Sequence, residues 1–247
     1  MNSELYADVI EAGGLGAASE RTAAELGISL VVLSGPEDLA DAIRIDTAVP
    51  GPRLPLVVYP RADSRGFHVI GRSHDVDIVT GEARDLREVV EAGAAWAAGT
   101  PVPEMRRALP FLLFDPLAEA HEQGPAVAVE ARWDQLKELA ADTPTFPEFG
   151  RLVEAAYAEP RLRGLYPFTS HWTVAFSSCT GRPYRDEIAI APQHGGRPYI
   201  VLRHSNTGLI GEASTVTDAV ALALQHLPDS VGPAVAGFTG RPGRSMP

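Results

Sequence analysis

Val79-Thr-Gly-Glu-Ala-Arg-Asp-Leu-Arg-Glu-Val-Val90 and Leu209-Ile-Gly-Glu-Ala-Ser-Thr-Val-Thr-Asp-Ala-Val220 set out the fold. Each leaves an extended apolar stretch through Gly-Glu-Ala and enters a helix. Asp85 and Thr215 stand where a helix N-cap accepts backbone N–H groups, and an acid follows three residues on, Glu88 or Asp218, as in a capping box. Beyond the caps, Leu86, Val89, Val90, Ala94 and Ala97 lie on one helical face. Val216, Ala219, Val220, Ala223, Leu224 and Leu227 lie on the other. Both sets keep the i, i+3, i+4, i+7 rhythm of a half-buried helix. The two Gly-Glu-Ala triplets are 130 residues apart (211 − 81), and the shared cap and face raise an internal duplication.

Short alternating runs precede each helix: 56–59, 67–71 and 76–80 in the first half, then 172–179, 187–191, 199–204 and 209–211 in the second. Turn material separates them at Asp63-Ser-Arg-Gly66, Gly181-Arg-Pro183 and His194-Gly-Gly196. Between the halves, Val129, Trp133, Leu136 and Ala140 form one helical stripe, and Phe149, Leu152, Val153, Ala156 and Tyr157 another. Prolines at 101, 103, 110, 116, 125, 144, 147 and 160 cut this region into short helices, because proline cannot donate an interior helical hydrogen bond. An N-terminal helix carries Leu5, Val9 and Ile10 and is broken by Gly13, Gly14 and Gly16. The expected class is α+β: two antiparallel βββα-like halves bridged by a helical segment. The divisions are a βββα-like half over 1–100, a helical bridge over 101–160, a ββββα half over 161–238 and a disordered tail over 239–247.

At 247 residues the chain can bury a core, and 45% hydrophobic with 21% charged residues is ordinary for a globular protein. A net charge of −11 repels phosphate backbones and anionic lipid, which argues against nucleic-acid binding. The lone Cys179 excludes an internal disulfide and reads as a small strand residue. The acidic start lacks the features of a signal peptide. No apolar run reaches the ~20 residues of a spanning helix, so a cytoplasmic protein without a membrane partner is expected.

Arg161-Leu-Arg-Gly-Leu-Tyr-Pro-Phe-Thr-Ser-His-Trp172 gathers polar and aromatic groups at a helix-to-strand junction. By strand parity Trp172, Val174 and Phe176 belong to the core. Thr169, His171, Thr173, Ala175, Ser177 and Cys179 share the opposite face, either a pocket floor or the wet side of a sheet. Parity also sets Ser170 and His171 on opposite faces and His171 roughly 26 Å from Cys179 at ~3.3 Å per residue, so neither makes a catalytic pair. Arg161 and Arg163, flanked by Tyr166, Phe168 and Trp172, suit a carboxylate or an aromatic face, or pairing with Glu154 and Glu159. The candidate ligand-binding set is Arg161, Arg163, Tyr166, Thr169, His171 and Thr173. The seven histidines show no zinc spacing, and Gly13-Gly-Leu-Gly16 is followed by no Gly-Lys-Ser/Thr. No metal and no cofactor is expected.

Leu117-Ala-Glu-Ala-His-Glu-Gln-Gly-Pro-Ala126, the run Phe146-Pro-Glu-Phe149 to Arg163, Tyr166-Pro-Phe-Thr-Ser-His-Trp-Thr173, Gly208-Leu-Ile-Gly-Glu-Ala213 and Leu227-Pro-Asp-Ser-Val-Gly-Pro-Ala-Val-Ala-Gly237 resemble an uncharacterised bacterial family usually labelled natural product biosynthesis protein. The resemblance implies a setting in specialised metabolism and brings no catalytic residues with it. The leading expectation is a non-catalytic accessory or binding protein recognising a small molecule or peptide around 161–171. An enzyme with His171 as general acid or base, and an immunity-like or regulatory module that binds a partner protein, are the alternatives.

Overall fold

A computed structural model describes residues 2–37, 39–205 and 207–237. It divides into two compact units, Met1–Glu122 and Gln123–Pro247. The stretch 101–160 is shared between them, and the tail expected to be disordered lies outside the described residues. Each unit holds one antiparallel sheet with helices, so the α+β class holds. No described helix is long and apolar enough to cross a membrane.

The first unit opens with α1 (Ala7–Glu11) and α2 (Leu15–Glu25). Gly13 and Gly14 have φ of 97° and 106°, a left-handed passage that glycine makes freely. These two end the first helix as expected, whereas Gly16, also read as a breaker, lies inside the second helix that starts at Leu15. Six strands follow in a meander whose order in the sheet is the order in the chain. They are β1 (Val32–Ser34), β2 (Ile43–Ile45), β3 (Leu56–Pro60), β4 (Phe67–Ser73), β5 (Val76–Ala83) and β6 (Leu112–Phe114), the last reached after helices α3 (Leu86–Ala97) and α4 (Val102–Ala108).

The β4–β5 hairpin is closed by His74 and Asp75 at φ of 49° and 60°, the two positive values of a tight primed turn. A register shift at Gly71/Arg72 lets Ile78 and Val79 both face inward, the local effect of a bulge. Asp85 accepts from the Glu88 N–H at 3.0 Å. The Glu88 carboxylate accepts the N–H of Arg84 at 2.7 Å, one residue before the capping-box position. Val89, Val90 and Trp96 of α3 are fully buried. A Cβ at Gly71 would lie 2.5 Å from Val79 and 2.7 Å from the Trp96 ring, so this glycine is what lets the indole lie on the sheet.

The second unit contains α6 (Pro125–Ala141), α7 (Pro147–Ala158) and α8 (Pro160–Arg163), after a short α5 (Ala118–Gln123) that ends at the division. Proline sits in the first turn of α6, α7 and α8, where its missing N–H is harmless. The apolar stripes are buried as their spacing predicts, Trp133 and Phe149 completely, except that Ala140 and Tyr157 at their ends are half-buried. A five-stranded meander follows: β7 (Tyr166–Ser170), β8 (Thr173–Ser177), β9 (Asp186–Ala191), β10 (Tyr199–His204) and β11 (Thr207–Ala213). Helix α9 (Val216–His226) is capped by Thr215, which accepts from the Asp218 N–H at 3.1 Å.

The two units share a bulged hairpin running into a capped helix. Their registers otherwise differ: Val69 faces Gly81, whereas the residue facing Gly211 is Val201, two places beyond the offset of 130. The likeness is therefore one of hairpin and helix, and a common origin does not follow from it.

Candidate functional site

The 161–172 junction is built differently from the strand its parity implies. The chain reverses at His171 and Trp172, whose φ values are 49° and 71°, and Ser170 pairs with Thr173 across the turn. Parity cannot be carried through such a reversal. Trp172, expected in the core, is 40% exposed at the hairpin tip. Conversely, every residue of β8 is buried, so Thr173, Ala175 and Ser177 do not form a wet face. The turn also brings together two residues that a strand would separate: Ser170 Oγ lies 3.4 Å from His171 Nδ1. This contact is long and exposed, unlike the short, oriented bond of an activated nucleophile.

The six candidate residues direct their contacts to separate places. Arg161 Nη2 donates to the carbonyls of Leu227 and Pro228, each at 3.1 Å, and so fastens the chain where it leaves α9, near the end of a helix that favours a cation. The Arg163 guanidinium lies 5.6 Å from the Tyr157 ring, and its carbonyl accepts the Trp133 indole N–H at 3.0 Å. Tyr166 is buried, with its ring 5.6 Å from that of Tyr184. Thr169 is half-buried opposite Val174. Thr173 is buried, and His171 is exposed in the turn.

Spacing gave no hint of the aromatic group beside this turn. The Trp172 ring stands edge-on to Phe149 at 5.2 Å and to Phe146 at 6.0 Å. His194, exposed, stacks on Phe146 at 3.6 Å. The His194 loop is fastened by Glu148, whose carboxylate accepts the Gly196 N–H at 3.1 Å. Hydrogen bonds from its own N–H and from Gly196, with Arg151 nearby, hold the Glu148 carboxyl below the usual range.

A second site lies wholly in the first unit and was not signalled by any local motif. The loop 47–53, the end of α3, the α3–α4 connection and α5 enclose a cleft of about 340 Å³, lined by Val49, Pro50, Pro52, Trp96, Pro101 and Glu122 among others. Backbone bonds fix its walls: the Ala48 N–H to the Ala97 carbonyl at 2.9 Å, and the His74 N–H to the Pro52 carbonyl at 3.0 Å. Arg53, with its side chain only 8% exposed, sits at the cleft. Its Nε donates to Glu122 Oε1 at 2.5 Å and its Nη2 to the Thr100 carbonyl at 2.8 Å. The guanidinium lies 4.5 Å over the Trp96 ring, and Trp96 Nε1 donates to the Leu54 carbonyl at 2.9 Å. Next to Glu122, His121 is buried, and desolvation pushes its imidazole below the ordinary histidine range, with Asp115 opposing and His74 reinforcing the shift.

Chemically, the first unit offers a preformed concavity with one neutralised ion pair and apolar walls. The second offers an exposed aromatic tip. Residues 127–238 match the model of a family of unknown function (DUF6193). That stretch covers less than half of the chain and most of the second unit, and it carries neither an activity nor any link to specialised metabolism. No curated protein and no solved structure matches the chain.

Proposed function

We propose that this is a non-catalytic binding protein that holds a small molecule in the cleft over Arg53 and Trp96. The observation that carries this reading is the nearly buried Arg53–Glu122 pair beside a cleft of about 340 Å³. That volume is within the range of small-ligand sites, which are mostly apolar with a few fixed polar groups. The setting in specialised metabolism rests on the sequence resemblance alone. A general acid or base at His171 has less support, because the imidazole stands on solvent at a hairpin tip.

The test is a ligand-observed NMR screen of aromatic amines, acids and alcohols against the full chain, wild type and Gly51→Phe. Gly51 lines the cleft, and a Cβ there meets open space, so a phenyl ring can be built there to crowd the mouth of the cleft without disturbing the core. Hits lost in Gly51→Phe support the reading. Hits that survive it place binding elsewhere.

One observation favours a second reading, recognition of a peptide or partner protein at the second unit. Trp172 keeps 40% of its surface exposed while held in a conformation that bulky residues rarely adopt, and such strain concentrates at functional sites. Protection of the Trp172 indole on adding a peptide, with the cleft resonances unmoved, would favour it.

A further inference from the structure

Several of the donors around the cleft in the first unit are already engaged. Pro50, Pro52 and Pro101 have no N–H. The N–H of Thr47 is bonded to Asp46 Oδ1 at 2.9 Å, and that of Gly99 to the Trp96 carbonyl at 3.0 Å. The Trp96 indole N–H is directed to Leu54. Arg53 turns Nε to Glu122, Nη2 to Thr100 and Nη1 toward Met105 Sδ at 3.8 Å. On the acceptor side, Glu122 uses Oε1 for Arg53. Its Oε2 remains for a ligand, since an ionised carboxylate has acceptor sites on both oxygens. The Arg53–Glu122 pair cancels in charge, and the chain as a whole carries −11, a field that concentrates cations.

Resting on the cleft being the binding site, we propose that its ligand is a small organic ammonium: an amine carried on a flat apolar body. The ammonium donates to Glu122 Oε2, and the body lies against Pro50, Pro52 and Pro101 beside the Trp96–Arg53 stack. A carboxylate ligand would face the Glu122 carboxylate, which already holds Nε of Arg53, and that is a repulsive element for an anion. A neutral alcohol would keep the apolar contact and lose the charge assistance.

Three probes with a common ring separate these cases: phenethylamine, 2-phenylethanol and 3-phenylpropionate. Each is titrated at neutral pH into the full chain labelled with nitrogen-15, and the amides of 47, 49, 51 and 99 and the Trp96 indole are followed. Phenethylamine is expected to bind about tenfold more tightly than the alcohol, the gain of one charge-assisted hydrogen bond, with the carboxylate weakest. In Glu122→Gln the amine falls to the level of the alcohol. If the alcohol or carboxylate binds at these resonances as tightly as the amine, or if the amine keeps its advantage in Glu122→Gln, the ligand class is overturned and the site stands. If none of the probes moves these resonances, or Gly51→Phe leaves binding intact, the site itself is wrong and the proposal falls with it. Should Glu122→Gln not fold, the order of the three probes on wild type and Gly51→Phe still decides.

Discussion

Replacing Glu122 by Gln and Arg53 by Met, singly and together, probes how the cleft is built. The Arg53 side chain is 8% exposed and that of Glu122 21%, so the pair is close to a buried one. Removing one partner of a buried pair leaves a charge uncompensated and commonly costs about 3–5 kcal/mol. Glu122→Gln should fall below that range, at about 2–3 kcal/mol, because Arg53 keeps the Thr100 carbonyl and the Trp96 face. Arg53→Met preserves the aliphatic stem and lets Glu122 rehydrate, but it orphans the Thr100 carbonyl and removes the cation over the indole, together about 1–3 kcal/mol. The double variant removes both charges and should cost less than the sum, with a coupling of about 1–2 kcal/mol. Urea unfolding followed by fluorescence measures this. Trp96 is the first unit's one tryptophan, and a Trp133→Phe/Trp172→Phe background isolates its signal. Costs that add to within about 0.5 kcal/mol would refute the reasoning, since the two charges would then be screened by solvent and would not build the cleft.

Further outcomes follow from other parts of the molecule. Gly71→Ala forces a methyl to 2.5 Å from Val79 and 2.7 Å from the Trp96 ring, so thermal unfolding should show a loss of about 1–3 kcal/mol; a neutral result would mean that Trp96 shifts freely. Burial lowers the His121 pKa, so the folded state binds that proton less readily than the unfolded chain. Its contribution to stability is complete above the unfolded value near pH 6.5 and is lost as pH falls from there through the lowered folded value. His121→Gln should flatten this limb of the stability–pH curve, and an unchanged limb would assign it to other groups. Thr215→Ala removes the acceptor of the Asp218 N–H and should cost about 1 kcal/mol in a melt of the second unit. His171→Asn places in the left-handed turn position a residue that tolerates it and should stabilise by up to about 1 kcal/mol. A loss instead would show that the imidazole has a partner worth more than the strain.

Much of the fold was legible because its signals are local. The caps Asp85 and Thr215, the apolar faces behind them and the hairpin strands β4 and β5 each appear within fewer than twenty consecutive residues. Strands β1, β2 and β6 did not, since three residues are too few to show alternation. Strand β7 was run together with β8, because the reversal at His171 and Trp172 went unread; Pro167 is tolerated in β7 because that strand lies at the sheet edge. Helix α2 was hidden by Gly13 and Gly14, whose role as breakers was read without the helix that begins just after them. Trp172 was misplaced because a reversal at two bulky residues with positive φ has no signal in composition; primed turns favour Asn-Gly. The cleft was out of reach for another reason. Arg53 meets Thr100 and Glu122 across separations of 47 and 69 residues, and only the meander brings them together.

The most direct measurement is a crystal structure of the full chain grown with phenethylamine. Density for the amine in the cleft, with its nitrogen within hydrogen-bond distance of Glu122 Oε2 and its ring beside Pro50 and Pro101, is the expected result. An empty cleft with the amine seated on Trp172 and His194 would contradict it and move the recognition site to the second unit.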